Sequence, residues 1–112
     1  MKQVILDTSF ILTAIKQKID FFHWFETEGM QAIIPEQTLR ELKGLNAELA
    51  LKIINLNKFK QIKISGKDAD SAIINFTKEN PDAIVATLDQ NLKKKVTNKK
   101  LIVRGKKRLE II

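Results

Sequence analysis

The chain has 112 residues and a formal net charge of +7, with 20 Lys and Arg against 13 Asp and Glu. It contains no cysteine, which excludes disulfides, thiolate metal sites and cysteine nucleophiles. The length suits one core, so we expect a single domain over residues 1–112. No apolar run approaches the ~20 residues that cross a bilayer, and no signal peptide is visible. We therefore expect a soluble cytoplasmic protein with no membrane contact.

The positive charge is concentrated at the C-terminal end of the chain. Residues 90–112 hold nine Lys or Arg and one acid, Glu110, which gives +8. Residues 1–89 hold eleven bases and twelve acids, which gives −1. Such a basic segment indicates a surface that binds a polyanion, and a solvated basic face is the alternative.

The first predicted strand ends at an aspartate. Residues 4–6, VIL, form a short apolar run typical of a buried parallel strand, and Asp7 follows them. Asp7, Thr8 and Ser9 are residue types that favour the N-cap of a helix, which is predicted to reach about Lys16. The carboxylate of Asp7 therefore either caps this helix or binds something positive.

Helices and strands alternate through the rest of the chain. Helices are predicted over 20–29, over a segment with Leu39, Leu42 and Leu45, over 46–57 with Leu49, Ile53 and Leu56 on its apolar stripe, over 68–79, and over 91–96, which is basic. Strands are predicted over QAIIP (31–35), QIKI (61–64), AIVAT (83–87), LIV (101–103) and RLEII (108–112).

This alternation predicts an α/β fold with a mainly parallel sheet covered by helices on both faces. Ligands of such sheets bind beyond the carboxyl ends of the strands. Asp7 and Asp89 each follow an apolar strand, so their carboxylates meet if the two strands are neighbours. Like charges that close are unfavourable unless a cation lies between them or one takes a proton. Mg²⁺ and Mn²⁺ prefer such oxygen ligands.

Two helical acids extend this argument. Glu41 lies among leucines, an unusual place for a carboxylate unless it points along the edge of the sheet. Asp70 lies in the first turn of the 68–79 helix, where it interacts favourably with the helix dipole, and Asp68 does so equally well. Each acid taken separately indicates a structural role, but four acids that converge indicate a site.

The order VILDTSF, PEQTLRELKGL, DADSAI, IVATLDQNLKKKV and IVRGKKRLEII resembles the PIN-domain nucleases. It is most similar to the short archaeal members related to the small-subunit ribosomal-RNA processing nucleases. The resemblance covers essentially the whole chain, and VATLD followed by a basic helix is its most specific part. It implies a PIN-like three-layer sandwich with strand order 3-2-1-4-5, in which the first and fourth strands are neighbours.

The resemblance also implies a pocket that binds one or two Mg²⁺ or Mn²⁺ ions and cleaves single-stranded RNA. Relatives often have two consecutive acids at the third motif, whereas here Asp70 is followed by Ser71. The third acid of the family matches Asp70; if the second acid of the family's pair carries the chemistry, the third ligand is missing here or is supplied by Asp68. The implied catalytic acids are Asp7, Glu41, Asp70 and Asp89; Asp7, Asp70 and Asp89 hold the metal, Glu41 orients or deprotonates water, and Thr8, Ser9 and Thr87 are supporting hydroxyls.

The basic residues after the fourth strand are expected to contact RNA phosphates without reading sequence. A metal-dependent endoribonuclease, with ribosomal-RNA processing as its implied role, is the function expected. A VapC-type toxin RNase and a non-catalytic RNA-binding or assembly module remain the alternatives. Expected partners are single-stranded RNA, a second copy in a homodimer, and an antitoxin or a ribosome-assembly factor. The predicted RNA contacts are Lys93, Lys94, Lys95, Lys106 and Lys107.

Overall fold

The structure is a computed structural model that describes residues 1–112. The chain forms six strands and six helices, with one or two helices between successive strands up to the β5-β6 pair, and every predicted element is present. The strands are β1 (Lys2–Leu6), β2 (Met30–Pro35), β3 (Lys60–Ile62), β4 (Ile84–Ala86), β5 (Lys100–Arg104) and β6 (Arg108–Ile111). The helices are α1 (Thr8–Lys16), α2 (Phe21–Thr27), α3 (Glu36–Gly44), α4 (Glu48–Asn55), α5 (Ala69–Glu79) and α6 (Gln90–Lys95).

The strands form one sheet in the order β3-β2-β1-β4-β5-β6. The first five strands are parallel, and β6 pairs antiparallel with β5. This confirms the predicted order 3-2-1-4-5 and adds the C-terminal strand at one edge. The strand order reverses at β1, which lies between β2 and β4, and the carboxyl ends of β1 and β4 are level because Leu6 pairs with Ala86.

The core lies on both faces of the sheet, as predicted. Strand β1 is buried on both sides, so consecutive residues contribute to different clusters. Val4 and Leu6 pack with side chains of α1 to α4, including Phe10. Ile5 packs on the opposite face with side chains of α5 and α6, including Ile73. None of the helices is both long enough and apolar enough to cross a membrane.

Helix α4 differs from its sequence prediction. Two members of the predicted apolar stripe are exposed, Leu49 by 61% and Leu56 by 79% of their surface. The helix instead buries Ala50 and Ile54, which are one turn apart. The two stripes are adjacent on the helix, and packing of Ile54 into the main core selects the second. Both stripes are apolar, so periodicity alone did not distinguish them.

Candidate active site

Two aspartates lie at the carboxyl edge of the sheet, between the neighbouring strands β1 and β4. Asp7 directly follows β1, and its backbone N–H donates to the carbonyl oxygen of Ala86, the last residue of β4, at 2.9 Å. Thr87 follows β4, and Asp89 comes two residues later as the N-cap residue of α6. Because the strand order reverses at β1, this edge is where ligands bind in open parallel sheets.

Asp7 occupies the N-cap position of α1 but does not cap the helix with its side chain. Asp7 is buried, with 4% of its surface exposed. Its Oδ2 accepts hydrogen bonds from Ser9 Oγ at 2.8 Å and from Thr87 Oγ1 at 2.7 Å. Burial nevertheless raises the pKa of Asp7 above its ordinary value; the two hydroxyls oppose this shift and the charge of Glu41 adds to it. Such a carboxylate is stabilised as an anion by a nearby cation.

The two hydroxyls also fix the backbone that leaves β4. Thr87 Oγ1 accepts from the backbone N–H of Asp89 at 3.0 Å. Ser9 Oγ accepts from the backbone N–H of Leu88 at 3.1 Å. Each hydroxyl therefore donates to Asp7 and accepts from the turn before α6, so the first turn of α1 and that turn are held together around one carboxylate.

Asp89 caps its helix, unlike Asp7. Its Oδ1 accepts from the backbone N–H groups of Asn91 at 2.8 Å and Leu92 at 3.3 Å. These bonds satisfy two of the donors that a helix start leaves without partners. Oδ2 of Asp89 takes part in neither bond, so one oxygen remains for another ligand.

The third acidic motif divides two tasks between two aspartates. Asp68 caps α5 by accepting from Ser71 N–H at 2.9 Å. Hydrogen bonds from the Ser71 backbone and hydroxyl lower the pKa of Asp68. Burial raises the pKa of Asp70, and the negative charges of Asp7, Asp89 and Asp68 raise it further. Of these two aspartates, Asp70 is therefore the one whose pKa is raised by the charges of both Asp7 and Asp89. Asp68 and Ser71 instead form the cap of α5.

Glu41 contacts two other elements of the site. Its Oε1 accepts from Thr8 Oγ1, at the start of α1, at 2.7 Å. Its Oε2 accepts from the backbone N–H of Ala69, the first residue of α5, at 2.8 Å. The carboxylate thus lies where the starts of α1 and α5 approach each other, and its charge contributes to the raised pKa of Asp7.

Two buried polar residues of α3 were missed by the sequence analysis. Thr38 Oγ1 donates to the carbonyl oxygen of Leu6 at 3.2 Å. Gln37 Nε2 donates to two carbonyl oxygens of the loop between β3 and α5. Their spacing could have indicated that they face the site, because Gln37 and Thr38 lie one helical turn before Glu41 and the buried Leu42. They tie α3 to the carboxyl edge that carries the acids.

The comparison with known proteins agrees with this geometry. The profile described as "PIN like domain" matches residues 4–106. This chain belongs to the PIN-like domain family. The PIN domain endonuclease Utp24 has a similar structure, with a TM-score of 0.85 and 28% identity, over 97% of this chain and 90% of that one.

Two sequence relatives of this PIN-like protein have names that state an activity or a process. It is 30% identical to "Ribonuclease VapC4" of Methanocaldococcus jannaschii over 99% of this chain and 97% of that protein. It is 32% identical to "rRNA-processing protein fcf1" of Schizosaccharomyces pombe over 83% of this chain. The match covers 52% of the fcf1 protein, so the chain spans about half the length of that relative.

The resemblance implies a divalent ion among the acids of this PIN-like fold. No three His, Asp or Glu side chains are grouped so that they hold a metal ion by themselves. Mg²⁺ usually keeps several waters and binds through one or two carboxylates. Buried Asp7, half-buried Asp70 and the oxygen of Asp89 that makes no capping bond fit that mode of binding. Their carboxylate oxygens are the donor type that Mg²⁺ and Mn²⁺ prefer, and these residues do not form a complete protein cage.

The structure separates the two groups of lysines predicted to contact RNA. Lys95 of α6 is close enough to lower the pKa of Asp70, and Lys93 and Lys94 precede it on the same helix. Lys106 and Lys107 lie in the turn between β5 and β6, where the backbone N–H of Lys107 donates to Gln17 Oε1 at 3.5 Å. Gln17 is the C-cap residue of α1, at the opposite end from Asp7. The second group therefore lies one helix length from the acids.

Proposed function

We propose that this PIN-like domain, residues 1–112, is a Mg²⁺- or Mn²⁺-dependent endoribonuclease that cleaves single-stranded RNA. The observation that carries the proposal is the buried Asp7 carboxylate. It is held by Ser9 and Thr87 at 2.8 and 2.7 Å instead of capping its helix. Its pKa is raised by burial, as is that of Asp70, which the negative charge of Asp7 raises further. Such a pair favours a cation over a purely structural role.

The proposed roles follow from the contacts of each side chain. Asp7, Asp70 and Asp89 hold the ion, directly or through water. When bound, such an ion makes water a stronger nucleophile and neutralises charge on the phosphate. Ser9 and Thr87 fix the orientation of Asp7.

Lysines of α6 are proposed to hold the RNA backbone beside the acids. Lys95 lies within electrostatic reach of Asp70, and exposed Lys94 precedes it. Phosphate contacts of this kind position a nucleic acid and carry no sequence information. Phosphates bound there would lie next to the carboxylates, which is where the scissile bond must be.

Ribosomal-RNA processing is the process that we propose for this activity. The support is the likeness to fcf1 and to Utp24. A VapC-type toxin RNase held inactive by an antitoxin is the second candidate. It is favoured by the match to a ribonuclease over 97% of that relative's own length.

The proposal is tested with unstructured fluorescent RNAs and purified protein, with Mn²⁺ or with EDTA. We expect product only with the metal, and none from Asp7→Asn, while RNA affinity stays equal or improves because a negative charge is removed from a polyanion site. RNA binding without product from the wild-type protein, across several substrates, would favour the non-catalytic assembly module. Expression of wild type and Asp7→Asn in cells then separates the candidate processes: growth arrest indicates a toxin, and changed precursor ribosomal RNA indicates processing.

A further inference from the structure

We propose that Glu41 is a positioning residue, which holds the start of α5, and therefore Asp70, against Asp7. This role differs from the water-activating one that the resemblance implied for it. The inference rests on the proposed function, because the placement of Asp70 matters for the reaction only if Asp70 holds the ion.

Both oxygens of the Glu41 carboxylate already accept hydrogen bonds from the protein. Oε1 accepts a hydrogen bond from the hydroxyl of Thr8 at 2.7 Å, and Oε2 accepts one from the backbone N–H of Ala69 at 2.8 Å. A group that takes a proton from water needs an oxygen within hydrogen-bond reach of that water. Here each oxygen already uses one of its acceptor positions to bond a different helix. The carboxylate therefore links the start of α1 to the start of α5.

The bond to Ala69 determines where Asp70 lies. Ala69 opens α5, and its N–H is one of the donors that a helix start leaves unpaired. Asp68 also caps this helix, but it directly precedes the helix in the chain. Its bond to Ser71 therefore moves with the helix and does not fix the helix against another element. Glu41 reaches from another helix, 28 residues away. It fixes the position of the helix start as well as satisfying a donor there.

Helix α3 also holds the loop that leads into α5. Buried Gln37 donates from Nε2 to the carbonyl oxygens of Ile64 and Gly66, both at 2.7 Å. Gly66 has φ of +145°, and a Cβ there would lie 2.6 Å from the backbone nitrogen of Ala72. The loop is therefore packed directly against the first turn of α5. With Glu41, helix α3 secures both the loop and the helix start.

The test compares Glu41→Gln with Asp20→Asn. A glutamine at 41 has the size of glutamate but accepts at only one oxygen, so it cannot keep both bonds. Asp20 makes the matching contact elsewhere, since its Oδ1 accepts from the N–H of His23 at the start of α2 at 3.0 Å. Amide hydrogen exchange at Ala69, the donor to Glu41, is measured in the metal-free, RNA-free protein. Mn²⁺ affinity and the rate of RNA cleavage are measured alongside.

We expect Glu41→Gln to speed exchange at the Ala69 amide about tenfold or more, the size of one lost charge-assisted hydrogen bond. Mn²⁺ should bind more weakly, and excess Mn²⁺ should restore much of the cleavage, because the ion favours the ordered position of α5. Asp20→Asn should change none of these. Unchanged exchange at Ala69 with weaker Mn²⁺ binding would make Glu41 a direct ligand. Unchanged exchange and unchanged Mn²⁺ affinity with slower cleavage would make it the base.

Thr8→Val provides a second route to the same answer if Glu41→Gln does not fold. It removes the other anchor of Glu41 and leaves the charge in place. A positioning role predicts faster exchange at Ala69, and unchanged exchange there would overturn it. Because exchange is read without metal or RNA, wild-type protein that cleaves no RNA refutes the proposed function while leaving this measurement intact.

Discussion

The hydroxyl of Thr87 donates to the carboxylate of Asp7 at 2.7 Å, across the boundary between two neighbouring parallel strands. Thr87 is fully buried and Asp7 nearly so. The hydroxyl oxygen of Thr87 also accepts a hydrogen bond from the backbone N–H of Asp89 at 3.0 Å. One hydroxyl therefore connects both strand-terminal aspartates, and its removal tests the site at its centre.

Thr87→Val should lower both stability and cleavage. It leaves a buried carboxylate and a backbone N–H each short of a partner, at a cost of about 1–3 kcal/mol in the free energy of unfolding. Thr77→Val is the matched control, since Thr77 is also buried and donates to Ile74 O at 2.8 Å within its own helix. Urea unfolding should show a loss in both variants, and a cleavage assay should show a loss in Thr87→Val alone. Full activity in folded Thr87→Val would remove Thr87 from the site.

Substitutions of Asp89 separate its cap from its charge. Asn is as good an N-cap residue as Asp, so Asp89→Asn should leave metal-free stability unchanged or slightly raised, since a like charge is removed. Asp89→Ala also loses the bonds from Asn91 and Leu92 and should lose about 1 kcal/mol. Both variants should lose much of the rise in melting temperature that Mn²⁺ gives the wild type. A normal Mn²⁺ response in Asp89→Asn would leave Asp89 as a cap only.

The pKa of Asp70 predicts a pH dependence of stability in the metal-free protein. Burial and three neighbouring carboxylates raise the pKa in the folded state above the ordinary 3.8. The folded protein therefore favours the protonated form. The stability contributed by this group is fully present below pH 3.8 and is lost as pH rises through the folded-state pKa.

Asp70→Asn cannot undergo this loss. The free energy of unfolding of the variant, relative to wild type in EDTA, should rise between about pH 3 and neutral pH. Urea unfolding at a series of pH values measures it, with Asp68→Asn for comparison. The pKa of Asp68 is lowered, so wild type should instead gain over that variant as pH rises. If the difference in the free energy of unfolding between Asp70→Asn and wild type did not change with pH, the Asp70 carboxylate would be solvated in solution.

The two lysine groups should affect RNA binding differently. Replacing Lys93, Lys94 and Lys95 with Gln should weaken binding of short single strands, with each lost phosphate contact reducing the salt slope by about 0.7. Replacing Lys106 and Lys107 should matter only for longer strands, because these residues lie at the far end of α1. Affinity against salt concentration for short and long RNAs distinguishes the groups. Equal effects of both on the shortest RNA would contradict this arrangement.

The sequence by itself determined the sheet and the placement of the acids along the chain. Alternating apolar runs and amphipathic segments predicted the βαβ units, because burial on both faces of a parallel sheet leaves continuous apolar strands such as residues 4–6. A strand that ends in a polar residue must present it at the carboxyl edge, so the edge positions of Asp7 and Asp89 were also predictable. Family resemblance supplied the order in which the strands lie.

Only the tertiary structure decided what each acid contacts. Asp7 and Asp89 both precede helices and look alike in sequence, yet Asp89 caps its helix and Asp7 does not. The difference arises because Thr87, 80 residues away, brings a hydroxyl to Asp7 when β1 and β4 pair. Glu41 meets Ala69 for the same kind of reason. Local patterns encode burial and helix starts, whereas hydrogen bonds between distant segments exist only once the sheet has set their separation.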